Sequence, residues 1–394
     1  WNSIPNEQVF DRSVADEPRL LSPVKSANTM LFGGTKKQQA DVLGLYPQTR
    51  CLDIRVDNIQ AELERSGSLD HIIWIAPEIP LEDQCIESDT IITGQSRGVL
   101  QIFAIIKGLL ALDYGTRDLS WTVITTQTQA VHPSDVVIPA HSSVHGLMGA
   151  LAKEYRYWQI RLVDLEGLAT WPAQEIFSLP YSAQGDALAH RGGQWFTPQL
   201  LPVSSFESSA VQYKTGGVYV VIGGAGGIGE AWSRWMQEKY QAKVVWIGRR
   251  AKNEAIENSI KALSETGPAP LYIQADAGDR ASLEKAYQQI KQSYSQINGV
   301  VQSAIALLDA SLEKMDVERF QLGLRAKVDA SVRLAQVFKA EDLDFVLFFS
   351  SMTAYEKAAG QSNYAAGCTF KDSFGQAMAR QWSCAVKVMN WGYW

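Results

Sequence analysis

The sequence predicts an α/β protein built on parallel sheets, and two observations carry that prediction. From residue 216 onward, apolar β-branched runs alternate with segments long enough for helices; the same rhythm runs more loosely through the preceding half. The runs VYVVIG (218–223), KVVWIG (243–248), PLYIQA (270–275), GVVQSA (299–304), DFVLFFSS (344–351) and AVKVMN (385–390) read as strands buried on both faces. A doubly wound parallel sheet follows, and its ligand site should lie beyond the carboxyl ends of the strands. Residues just after strands are therefore the ones to inspect.

In the first half, TMLFGG (29–34), HIIWIAP (71–77), WTVITTQ (121–127) and IRLVDLE (160–166) read as strands, with helices expected over 98–114 and 145–158. This half reads as a second, shortened α/β layer. Its LFGG lacks the full glycine spacing of a nucleotide loop, so a structural partner that binds no cofactor is expected. QWFTPQLLPV (194–203) has strand composition and is expected to connect the halves. No Gly/Ser-rich or Pro-rich linker separates them, which predicts a packed pair. The fold class is thus α/β with two Rossmann-like subdomains. An N-terminal degenerate structural one spans 1–213, and a C-terminal doubly wound parallel-sheet catalytic one spans 214–394.

Composition narrows the function classes. The 394 residues are 46% hydrophobic and 20% charged with a net charge of −6, and no uninterrupted apolar run could cross a bilayer. Basic residues are scattered, so neither nucleic acid nor a membrane is an expected partner. Cys51, Cys85, Cys368 and Cys384 show neither CxxC pairing nor a disulfide framework, which suits a reducing cytoplasmic setting and argues against a structural metal. His71, His132, His141, His145 and His190 all precede residue 200, so the half with the glycine-rich loop must use Tyr, Lys, Ser, Asp or a cofactor for its chemistry.

The segment VYVVIGGAGGIGEAW places Gly223, Gly224, Gly226, Gly227 and Gly229, with Ile228 among them, between a strand and a helix. In that context glycines let backbone N–H groups approach a pyrophosphate. Arg249 and Arg250 end the next strand, where an acidic residue would bind the ribose hydroxyl of NAD; a guanidinium there suits a 2′-phosphate and points to NADPH. Asp276, followed by Ala277, ends the third strand and could either accept from an adenine amino group or cap a helix.

FFSSMTAYEKAAGQSNYAAGC (348–368) carries the candidate chemistry. Ser351 follows a buried strand and Tyr364 opens a small-residue helix, so their hydroxyls can meet at the sheet edge. Delivering a hydride to a ketone creates an alkoxide that needs a proton; a Tyr of lowered pKa can supply it while a Ser holds the oxygen. A helix expected over about 317–339 puts Lys327 on its buried side, where it could favour the phenolate or could snorkel to the edge.

Together these residues resemble the ketoreductase domains of modular polyketide synthases, a branch of the short-chain dehydrogenase/reductase superfamily. The GGAGGIG loop, GRR, ADAGDRASL, KVDASVRL, FSS, GQSNYAAG and terminal NWGYW stand in the family's order across 216–394, and HGLMGALAKEY resembles a helix of the family's N-terminal subdomain. The likeness is nearest to assembly lines whose acyltransferases act in trans. It implies reduction by NADPH of a ketoacyl chain held on the phosphopantetheine of an acyl carrier protein, among neighbouring synthase domains. The implied catalytic set is Lys327, Ser351 and Tyr364, with Gly360 and Gln361 shaping the loop before the tyrosine. Cys368 stands where most of the family has Asn and ordinary short-chain dehydrogenases have Lys, and cysteine is the weaker hydrogen-bonding group. The sequence ends at Trp394, where the family continues into a nicotinamide-contacting loop and a substrate lid. In the loop Leu307–Leu308–Asp309 the last residue keeps one of two aspartates that accompany a D-hydroxyl product. Glu356 replaces the tryptophan that accompanies the opposite outcome. The resemblance therefore implies a D-configured product, with Asp309 steering the substrate or else capping a helix over ASLEKM. A nucleotide-sugar epimerase or dehydratase and a catalytically silent scaffold stay open as alternatives.

Overall fold

Two sheets stand side by side, and the helices between them belong to one continuous core. The computed structural model describes residues 2–4, 27–53, 58–167, 171–202 and 213–393. Val203, at the end of the expected connecting strand, and Trp394 lie outside the described residues.

The first sheet is formed by β1 (Asn2–Ile4), β2 (Thr29–Gly33), β3 (Thr49–Leu52), β4 (His71–Ile75), β5 (Leu119–Thr126), β6 (Trp158–Leu165), β7 (Ala187–Arg191) and β8 (Gln194–Thr197). Their order is β1-β8-β7-β6-β5-β4-β2-β3, parallel from β3 to β7 and antiparallel where β7, β8 and β1 meet. The sheet is therefore larger than a shortened layer, with eight strands among the described residues. The expected connecting strand is instead the second arm of a hairpin closed by Gly192 and Gly193, both at positive φ. β3 and β7 escape a pattern search because they are short and flanked by mixed residues. The parallel core winds in the order second, first, third, fourth, fifth, the flavodoxin variant of a doubly wound sheet.

The second sheet contains β9 (Val218–Ile222), β10 (Lys243–Gly248), β11 (Leu271–Gln274), β12 (Gly299–Gln302), β13 (Phe345–Ser351) and β14 (Ala385–Trp391), all parallel, in the order β11-β10-β9-β12-β13-β14. The order reverses between β9 and β12, so a crevice must open beyond their carboxyl ends. The four inner strands are buried, whereas the edge strands β11 and β14 are partly exposed, contrary to burial on both faces.

The expected helix over 317–339 is two helices, Val317–Arg325 and Val328–Phe338. They break at Ala326 and Lys327 because the Ala326 carbonyl is taken by Gln302 Nε2, 3.0 Å away. The expected ASLEKM helix is absent; those residues form only turns before Asp316 caps Val317–Arg325.

The halves are joined most closely where helix Ser143–Glu154 crosses helix Ser362–Gln381. A Cβ on Gly146 would sit 2.2 Å from the backbone of Ala365, so only glycine permits this approach. The Gly146 N–H donates to Thr369 Oγ1 at 3.2 Å, and Ser373 Oγ donates to the Thr128 carbonyl at 2.8 Å. Phe103 and Phe320 stack across the same boundary at 4.4 Å. Gly146→Val is expected to destabilise the whole chain by about 1–3 kcal/mol, because a rigid backbone rather than a side chain must yield. Thermal unfolding checks this, and Gly44→Ala, where nothing lies within 4 Å of the added carbon, is the neutral control.

Candidate active site

At the carboxyl ends of β9 and β12 lies a cavity of about 500 Å³. It runs from the turn after β9 to Tyr364 and Lys327. Gly223 needs its positive φ of 84°, and a Cβ there would meet the backbone of Ala304 at 2.8 Å. Gly223, Gly226, Gly227 and Ile228 line the cavity where helix Gly227–Tyr240 begins. Gly224 and Gly229 do not. A Cβ on Gly224 would strike Trp246 at 2.1 Å, and one on Gly229 would strike the Gly223 carbonyl at 2.8 Å, so they serve the packing that shapes the turn.

Arg249 and Arg250 line the far end and are exposed. Arg250 donates to the Ala225 carbonyl at 3.2 Å, which folds its side chain over the glycine turn. Asp276 and Ala277 line the same end. Asp276 is not a helix cap: its Oδ1 accepts from the Gly278 N–H at 2.9 Å, while Asp279 caps the following helix through Ser282. Its other oxygen faces Arg325 at 3.4 Å. Arg325 is a third cavity-lining guanidinium that sequence reading passes over, because it lies some seventy-five residues beyond the pair.

At the near end Lys327 is 2% exposed, and its Nζ lies 4.4 Å from the centre of the Tyr364 ring. Burial pushes the Tyr364 phenol above its usual range, Lys327 opposes the shift, and Ser351 and Cys368 lie within hydrogen-bonding reach. The expected lowering of the tyrosine pKa is thus reversed, since desolvation outweighs the ammonium. A phenol that keeps its proton can donate it. Ser351 ends β13, where its Oγ also accepts from the Thr353 N–H at 3.2 Å. Gln361 Nε2 donates to Asp309 Oδ2 at 2.9 Å, so those two residues join the loops above the tyrosine rather than line the cavity.

Residues 217–394 match the KR domain family. The chain is 49% identical over 369 residues to polyketide synthase PksM of Bacillus subtilis (strain 168), which covers 93% of this chain and 8% of that protein. It is 46% identical over 390 residues to PksN of the same strain, covering 98% of this chain and 7% of that one. Residues 217–394 thus carry a KR domain, and the chain is similar to these polyketide synthases along nearly all of its length. Its fold agrees: a structure of A-type ketoreductases from a modular polyketide synthase superposes with a TM-score of 0.77 at 21% identity, over 95% of this chain and 81% of that one. The chain spans less than a tenth of the length of the two curated relatives. Ketoreductases are oxidoreductases that act on a ketone, and the family's cofactor is a nicotinamide dinucleotide. The glycine cradle, the guanidinium end and the phenol end of the cavity suit such a group in shape and charge.

Among the described residues no cluster of His, Cys, Asp and Glu could hold a metal, and no helix is long and apolar enough to cross a membrane. A second buried lysine was missed from sequence. Lys371, fully buried, donates to Gln302 Oε1 and, at 2.8 Å, to the Phe349 carbonyl; burial holds its ammonium well below the usual range. Because Gln302 also holds the Ala326 carbonyl, Lys371 braces the break that presents Lys327. A charged residue seven positions after the tyrosine, on the buried face of an otherwise small-residue helix, was the available signal.

Gly367 lies on the Lys371 helix and faces Lys327, and a Cβ there would come within 2.5 Å of Lys327 Cδ. Gly367→Ala is therefore expected to push Lys327 off the tyrosine ring. Turnover of a ketone should fall at least ~10-fold, corresponding to about 1.4 kcal/mol in the barrier, with little change in melting temperature.

Proposed function

We propose that this chain reduces the ketone of a ketoacyl thioester carried by an acyl carrier protein to a hydroxyl, using NADPH. The observation that carries the reading is Lys327 set 4.4 Å over the Tyr364 ring at one end of a cavity whose other end is lined by Arg249 and Arg250. NADPH would supply a hydride to the carbonyl carbon. Ser351 and the Tyr364 hydroxyl would hold the carbonyl oxygen, and as negative charge develops there the phenol would give up its proton. Lys327 would then stabilise the phenolate, and Cys368, within reach of the same hydroxyl, would help hold it in place. Gly223, Gly226, Gly227 and Ile228 would receive the pyrophosphate, and Asp276 with Ala277 would border the adenine.

The 2′-phosphate assignment rests on charge: Arg249 and Arg250 line the far end of the cavity, and Asp276 at that end is turned to Arg325 and the Gly278 N–H. Replacing both by alanine is expected to weaken NADPH by about 1.5–3 kcal/mol per lost charged hydrogen bond while leaving NADH nearly unchanged. Binding titrations with both cofactors measure this, and equal weakening would overturn NADPH as the cofactor. Tyr364→Phe should bind NADPH normally yet reduce no ketone in single-turnover absorbance measurements.

The carrier protein, the neighbouring synthase domains and an acyltransferase acting in trans are part of the proposal, supported by the synthases to which the chain is similar. A sugar-nucleotide epimerase is disfavoured because Cys368 occupies the position where that class places lysine, and a silent scaffold is disfavoured by the paired Lys327 and Tyr364. The N-terminal half is proposed to be structural. Two amides at the start of its helix Lys36–Leu45, those of Thr35 and Gln38, are engaged by a reciprocal cap between these residues. A D-configured hydroxyl is proposed, on the support of Asp309 and its tie to Gln361. Chiral chromatography of the product tests it, and mainly L-hydroxyl product would overturn it.

A further inference from the structure

The N-terminal half meets two loops of the catalytic half at one carboxylate. Glu154 ends helix Ser143–Glu154, and its two oxygens point to different segments of the catalytic half. Oε1 accepts from the Leu312 N–H and Oε2 from the Gly360 N–H at 3.1 Å. Leu312 belongs to the loop after β12, whose Ser303, Ala304, Ile305 and Leu307 line the cavity. Gly360, held at a φ of 79°, belongs to the turn that delivers Gln361 and then Tyr364. The two loops meet again through the 2.9 Å bond between Gln361 and Asp309.

Neighbouring groups support the same two segments. Lys107 Nζ donates to the Leu312 carbonyl at 3.0 Å and to the Glu313 carbonyl at 2.6 Å. On the other side Lys153 Nζ donates to the Glu356 carbonyl, and Lys357 Nζ reaches Asp186 at 2.8 Å. Backbone amides in irregular loops need acceptors, and neither loop supplies its own for Leu312 or Gly360. A carboxylate can serve both at once because each oxygen is an acceptor with no proton of its own.

We propose that Glu154 is a positioning residue for the ketoacyl substrate: by clamping the two loops that border the site, the N-terminal half sets the direction in which the ketone is presented. This rests on the reading that the cavity reduces a ketoacyl thioester. Neither oxygen of Glu154 bonds to Lys327, Ser351 or the glycine turn, so releasing the loops acts on the approach to Tyr364 and not on those groups.

Glu154→Gln tests it in the full chain. Its amide can accept at only one atom and turns N–H groups toward the second backbone N–H, so one loop must be released. Amide hydrogen exchange should quicken in residues 305–316 or 357–363, KM for a β-ketoacyl thioester should rise roughly 10-fold and the minor stereoisomer should increase, while kcat changes less and NADPH affinity stays the same. Lys107→Met, which frees only the carbonyl side of the first loop, should quicken exchange in 305–316 alone and provides a second arm if Glu154→Gln folds poorly. Unchanged exchange in both variants, or faster exchange with unchanged KM and unchanged stereoisomer ratio, would overturn the clamp. Equal loss of NADPH binding and melting temperature would overturn it too, since Glu154 would then be general structural support. Wild-type protein that binds NADPH but reduces no ketoacyl thioester would instead overturn the functional reading, and the exchange data would still decide whether Glu154 holds the loops.

Discussion

Everything near the cavity depends on the close crossing of helices Ser143–Glu154 and Ser362–Gln381. A glycine on one helix lies against backbone on the other, so the two α/β units cannot slide without breaking contact along their whole shared core. The helix held in this way carries Tyr364 in its first turn and Lys371 two turns later. Its neighbour ends in Glu154, within reach of both loops at the cavity mouth. One packing contact thus sets the tyrosine, the brace beneath it and the loops above it.

Burial then organises the charges. Two lysines lie under the cavity floor, and both are costly without partners. Lys371 is met by Gln302 and the Phe349 carbonyl, whereas Lys327 rests against the face of the Tyr364 ring. Burial also pushes the Tyr364 phenol up, and the Lys327 ammonium against its ring opposes that shift. Gln302 ties the two sites together by holding the Ala326 carbonyl, which explains why the helix breaks where it does.

Much of this was legible in the residues. The runs KVVWIG and DFVLFFSS became strands with nearly the expected bounds because inner parallel strands must be apolar on both faces. Edge strands β11 and β14 departed from that burial; among the described residues each pairs on one side only. The glycine turn was visible as a group, but Gly224 and Gly229 could be separated from the cavity only once Trp246 and the Gly223 carbonyl were in place. The single helix expected over 317–339 failed for a related reason: periodicity continues through the break, and the competing acceptor bond comes from Gln302 in another element.

Alone, the sequence determined the alternation of elements, the glycine turn, the paired arginines and the Ser351–Tyr364 spacing, because local propensity and short-range periodicity are written along the chain. Tertiary structure decided the eight-stranded extent of the first sheet, the environment of Lys327 and the raised phenol. It also decided the union of Asp309 with Gln361, and the part that Glu154 of the first half plays at the mouth of the second. Those features depend on desolvation and on partners far apart in sequence, such as Glu154 and Gly360, whose meeting no local pattern encodes.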